Sequence, residues 1–104
     1  MPMTPMTPLT PIAPTIVHNP AASRFEALVD AQLCVAVYRL VDGVMWMTHT
    51  EVPRSLRGRG IAAHLVDAAL ACARAQGHRV RPACSYVRTH LRRHSQWHDL
   101  LENA

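Results

Sequence analysis

Arg57-Gly58-Arg59-Gly60-Ile61-Ala62 stands between a strand-like stretch that runs into Pro53 and an alanine-rich run that continues to about Gln76. Two glycines two apart let the backbone come close to a ligand, because no Cβ stands in the way. The residues from Ile61 onward begin a helix, whose first N–H groups have no partner inside it and lie at the positive end of its dipole. Strand, glycine loop and helix start, in that order, make an anion site, most often one for phosphate. A lone G-x-G is weak evidence, so the flanks decide its meaning.

Downstream, Ile61, Ala62, Leu65, Val66, Ala69, Leu70 and Ala73 recur at helical spacing and predict an inner face, with His64, Asp67 and Arg74 outward. Gly77 is a natural stop. Arg79-Val80-Arg81 reads as a short strand interrupted by Pro82, and Ser85 to about Arg93 as a second helix, basic on its exposed side. Gln96–Leu101 adds a last short helical turn. A strand that follows a crossover helix in the same sheet pairs in parallel with its neighbour.

Upstream, Val44–Val52 predicts a strand, and Asp42-Gly43 is a strong hairpin signal. Leu33–Leu40 is rich in β-branched and aromatic residues, apolar enough to suggest burial on both faces. Arg24–Val29 alternates, with Phe25, Ala27 and Val29 on one face. Thr15–His18 predicts a short first strand closed by Asn19-Pro20. The expected fold is therefore α/β (α+β): a mixed, mostly antiparallel sheet in the order β-β-β-β-α-β-α. Residues 1–14 place a proline at every third position and read as a disordered tail, leaving 15–104 as one domain.

The chain of 104 residues has 49% hydrophobic residues and a net charge of +4. Its pI is near 9.6, which favours an anionic partner without choosing one. Cys34, Cys72 and Cys84 are odd in number and unpaired in spacing, so neither a disulfide framework nor a zinc knuckle is expected, and a reducing cytoplasm is the simplest compartment. No run approaches the roughly 20 apolar residues of a membrane span, and the first residues lack a signal peptide's basic start and apolar core.

Four groups carry candidate chemistry. Arg57 and Arg59 flank the loop and complement a phosphorylated ligand; the alternative is a solvated basic loop. Cys84 sits just before a helix, where free N–H groups favour a thiolate; the alternative is a small packing residue. His49 and, after it, Glu51 are candidate bases, since an alkylammonium must lose a proton before it attacks. His90, His94 and His98 are four apart and share a face if the helix runs on. That spacing suits a metal only with a further ligand, so no metal is assigned. A nucleic-acid module is a weaker alternative, because aromatic residues are only 5% and Trp46 and Trp97 are not set as a stacking pair.

Taken together, R-G-x-G-x-A at 57–62, His49-Thr50, Val52-Pro53 and Pro82-x-Cys84-Ser85-Tyr86-Val87 resemble a short, single-domain branch of the GNAT superfamily of acetyl-CoA-dependent N-acetyltransferases. The likeness spans residues 15–101. It implies acetyl-CoA as cofactor and acetyl donor. The pyrophosphate would lie on the amides of Arg57, Gly58, Arg59, Gly60, Ile61 and Ala62. The arm would thread a splay between the fourth and fifth strands, beside Thr50, Glu51 and Val52, and Arg88 would reach the nucleotide end. Cys84 and His49 would lie at the reacting end. The implied partner is an amine acceptor, a protein or a small molecule such as a polyamine, handled by a monomer or weak homodimer. A catalytically inactive CoA-binding module is the alternative.

Overall fold

The computed structural model describes residues 14–101. The expected proline-rich tail lies outside these residues except for Pro14. Five strands form one sheet: β1 (Val17–Asn19), β2 (Arg24–Val29), β3 (Gln32–Val41), β4 (Val44–Glu51) and β5 (Arg79–Pro82). They lie in sequence order, antiparallel throughout except for the parallel β4–β5 pair. Helix α1 (Ile61–Gln76) makes the crossover between β4 and β5, and α2 (Ser85–Arg93) follows β5. A 3-10 turn at Ser95–Leu100 closes the fold.

The expected order is observed, with three differences of detail. The first strand begins at Val17 rather than Thr15, and its last residue, Asn19, caps the next turn by accepting from the Ala22 amide at 3.2 Å. β3 is buried on both faces only over Cys34, Val35 and Ala36; beyond Tyr38 it emerges into solvent. Asp67, expected outward, is half-buried and takes two hydrogen bonds from the C-terminal segment.

One face of the sheet carries the core. Phe25, Ala27, Cys34, Ala36, Tyr38, Met45 and Met47 pack against Leu65, Val66, Ala69, Leu70 and Ala73 of α1 and Val87 and Leu91 of α2. Cys34 is core, and Cys72 packs half-buried at its rim. The helices therefore lie on one side and the sheet is two-layered. His18 ties the β1 edge down, hydrogen-bonded to the Tyr38 hydroxyl at 2.6 Å and stacked on Phe25 at 4.2 Å.

A single irregularity in β4 positions the site. Val37 pairs with His49, but the next residue, Tyr38, pairs with Met47, so Thr48 is an extra residue in the ladder. Such a bulge shifts the alternation of side chains by one. Met45 and Met47 point into the core, and strict alternation would send His49 and Glu51 after them. Beyond Thr48 they instead share the opposite face, and Thr50 turns toward the helices.

Burial pushes the Cys34 thiol above its ordinary value of 9.0. Burial, and then the charge of nearby Cys72, push the Tyr38 phenol above 10.0. The unfolded chain therefore loses these protons first. Their contribution to stability is complete below the unfolded values and is lost as pH rises through the folded ones. The melting temperature is expected to hold from neutral pH to about pH 8.5 and to decline above it. A melting temperature unchanged to about pH 10.5 would show that these two groups are not linked to folding.

Candidate functional site

β5 pairs with β4 only from Val44↔Arg79 to Met47↔Pro82, and one further bond runs from the Ala83 amide to the Met47 carbonyl at 3.0 Å. Pro82 has no N–H to extend the ladder, and at Cys84 the chain turns into α2. From Thr48 onward β4 is paired on its β3 side alone, and the strands splay apart.

A cleft of about 720 Å³ opens at this splay. His49, Thr50, Glu51 and Val52 form one wall; Arg57, Gly58, Gly60, Ile61 and Ala62 form its far end. Its size is that of a small-molecule or cofactor site. The glycine loop takes the shape its composition allows. Gly58 has φ +85° and Gly60 has φ +79°, a region that favours glycine, and a Cβ at either would meet nothing within 4 Å. Space that a side chain would fill is thus left open beside the helix start. The first intrahelical bond is from the His64 amide to the Gly60 carbonyl at 3.1 Å, so the amides of Ile61 and Ala62 precede it and are free of the helix ladder. Glycine, free amides and the helix dipole together fit a phosphate group.

The two loop arginines differ. Arg57 Nε donates to the Val52 carbonyl at 3.2 Å, which fastens the loop to the end of β4. Arg59 turns away and pairs with Asp30 in the β2–β3 turn at 3.0 Å, outside the cleft wall. Arg88 also lies outside the wall, with Nη1 donating to the Pro82 carbonyl at 3.4 Å. Cys84, half-buried at the start of α2, is not a wall residue either. Its thiol donates to Thr50 Oγ1 at 3.9 Å, directly behind the wall. His49 Nε2 and Glu51 Oε2 are 3.4 Å apart, both well exposed.

Two wall residues have no place among the sequence candidates. Leu56, 1% exposed, forms the apolar floor beneath the loop. Its only signal is an apolar residue within the polar run Arg54-Ser55-Leu56-Arg57. Tyr86 forms the wall opposite β4, and its phenol is held above its ordinary value, first by burial and then by the charge of Asp67. Its signal is its place in the motif Pro82-x-Cys84-Ser85-Tyr86-Val87, as the second residue of α2, four before His90, on which its ring stacks at 6.2 Å.

His90 and His94 stack with ring centres 4.1 Å apart, but the three histidines do not form one ligand set. α2 ends before His94, and the chain tightens into the 3-10 turn. His90, 5% exposed, is bonded through Nε2 to Asp67 Oδ1 at 2.7 Å, and Trp97 Nε1 donates to the same oxygen at 3.1 Å. His94 and His98 donate to the carbonyls of His90 and Leu91. Among the described residues no three His, Cys, Asp or Glu side chains are grouped to hold a metal, and no helix is long and apolar enough to cross a membrane.

Comparison with known proteins bears on this arrangement. A family model described as GCN5-related N-acetyl-transferase matches residues 24–100, which include every strand of the sheet but β1 and both helices. The solution structure of a GCN5-like protein from Staphylococcus aureus superposes with a TM-score of 0.70 at 23% identity, over 88% of this chain and 91% of that one. At that identity the likeness is one of fold.

Proposed function

The chain belongs to the GCN5-related N-acetyltransferase family, and from that premise we propose that it binds acetyl-CoA in the β4–β5 cleft and transfers the acetyl group to an amine. The observation that carries this is the cleft itself, where the glycine loop, the free amides of α1 and the unpaired edge of β4 line one continuous wall. Acetyl-CoA would supply the thioester whose acetyl group is transferred.

The amides from Gly58 to Ala62 hold the pyrophosphate, assisted by Arg57. The backbone of Thr50, Glu51 and Val52, unpaired toward β5, hydrogen-bonds the amides of the pantetheine arm as an added strand would. Arg59 and Arg88, engaged with Asp30 and Pro82, act at longer range on the phosphates. With acetyl-CoA bound, His49 would first take one proton from the acceptor ammonium, directly or through water, with Glu51 beside it to balance the resulting charge. The neutral amine would then bond to the acetyl carbon as the bond from that carbon to sulfur breaks, and the second proton of the nitrogen would pass to the departing thiolate, leaving the amide and the CoA thiol.

For Cys84 the geometry favours a supporting role behind the wall, against Thr50. Its hydrogen bond is to a hydroxyl, and His49 lies on the opposite face of β4, so the thiol lacks the adjacent base of an activated nucleophile.

A thermal-shift titration tests binding. A rise in melting temperature with acetyl-CoA is expected, and no rise at about millimolar ligand would sink the proposal. With binding in hand, Cys84→Ala is expected to keep turnover within about threefold, which is less than 1 kcal/mol of barrier. Intact mass spectrometry should find no acetyl adduct on Cys84 of the wild-type protein during turnover. An adduct there, together with loss of turnover in the variant, would assign covalent catalysis instead.

A further inference from the structure

Among the described residues, no helix packs on the second face of the sheet. Val17, Leu28, Leu33 and Val41 lie on it and are exposed. Across its β3–β4–β5 end runs one register row, Arg39↔Trp46↔Arg81, with the Arg81 guanidinium 4.7 Å from the centre of the indole ring. Arg39, Val41, Trp46 and Thr48 enclose a groove of about 230 Å³. The bulge at Thr48 brings His49 and Glu51 onto this same face, so the groove and the reacting end of the cleft are neighbours along β4. At about 3.3 Å per residue, Trp46 and His49 are roughly 10 Å apart.

We propose that this groove seats the acceptor, and that the acceptor is a lysine in a polypeptide segment with an apolar and acidic flank about three residues from it. This rests on the acetyltransfer reading above and names its substrate class. An apolar side chain fits over Val41 and the indole, and a carboxylate meets the guanidinium of Arg39 beside it. Three extended residues span the distance from there to His49, where the lysine amine enters the cleft. The arginines on this row repel a polyamine, whose charge is all positive. A nucleic acid suits the face less well: Trp46 offers a single stacking ring there, and Glu51 stands with His49 at the end of β4 toward which the acceptor runs.

The test uses the full chain, isotopically labelled, and two peptides with one lysine each. In one the lysine follows Leu-Glu-Glu, in the other Gly-Arg-Arg. The acidic peptide is expected to shift the amide resonances of Arg39, Trp46 and Thr48 and to bind at least about tenfold tighter than the basic one. Arg39→Glu should reverse the preference and Trp46→Ala should abolish it, while both variants keep the acetyl-CoA thermal shift. Equal affinities, or no perturbation of those three amides by either peptide, overturn the proposal. So does a single-stranded oligonucleotide that perturbs them more strongly at about 0.15 M salt, where unspecific charge attraction is screened. Failure of the wild-type protein to respond to acetyl-CoA is a separate outcome: it removes the acetyltransfer reading, whereas the peptide titration reads the groove by itself.

Discussion

Gly60→Val is expected to weaken acetyl-CoA binding by about 100-fold, equivalent to the loss of one or two charge-assisted hydrogen bonds. Gly60 caps α1 with φ +79° and ψ 11°. A β-branched residue in this left-handed region costs roughly 1–2 kcal/mol, so part of the effect falls on stability. For a chain of this size that is a fall in melting temperature of roughly 4–16 °C. The larger effect is local. A Cβ at Gly60 meets nothing within 4 Å in the fold, so the added side chain projects into the space that the proposal gives to a phosphate. Gly77 separates the two contributions. It also has positive φ, +74°, also caps α1 and also faces open space, but at the far end of the helix. Gly77→Val should lose similar stability and keep its affinity for acetyl-CoA. Calorimetric titration of both variants decides, and equal affinities for the two would remove the loop from the binding site.

The largest loss of stability is expected from Asp67→Ala. One carboxylate oxygen receives both the buried imidazole of His90 and the indole N–H of Trp97. Deleting it leaves two donors without an acceptor, at about 1–3 kcal/mol each. Water reaches part of the site, since the Asp67 side chain is 42% exposed, which sets the expectation near the lower end, at about 2–3 kcal/mol. The corresponding fall in melting temperature is roughly 8–24 °C. Asp67→Asn, which keeps an acceptor oxygen, should lose less than half of that. The same contact holds α2 against α1, and α2 carries both Tyr86 and Cys84. The destabilised variant should therefore also bind acetyl-CoA more weakly, by less than about tenfold. A variant as stable as the wild type would show that solvent satisfies His90 and Trp97 without Asp67.

The clamp at Asp67 is a case of what the sequence hides. Helical spacing places residue 67 on the polar side of α1, and an isolated helix would leave it in water. Which partner covers that side depends on where α2 and the final turn return, and the spacing of α1 carries no record of it. Arg74 is similar: it bonds the Gln96 carbonyl and Asp99 and lies over the Trp97 ring at 4.8 Å. The histidine series breaks for a related reason. Spacing of four holds for His90 and His94, which stack at 4.1 Å, but α2 stops at Arg93 and His98 bonds the Leu91 carbonyl instead.

The sequence by itself determined the order of the elements, the helix after the loop and the positive φ of the loop glycines. These follow from local rules: apolar spacing, the Asp42-Gly43 turn, glycines where φ is positive and a proline that ends β5. The tertiary structure alone decided which side chains of β4 face the core, the cleft and the open face. The extra residue at Thr48 is invisible as composition, because a bulge is a property of two paired strands. It reverses the alternation, turns Thr50 toward Cys84, and sets His49 and Glu51 beside Trp46 and Arg39 on the open face. Residues that strict alternation would bury with Met45 and Met47 thereby come to the wall of the cleft.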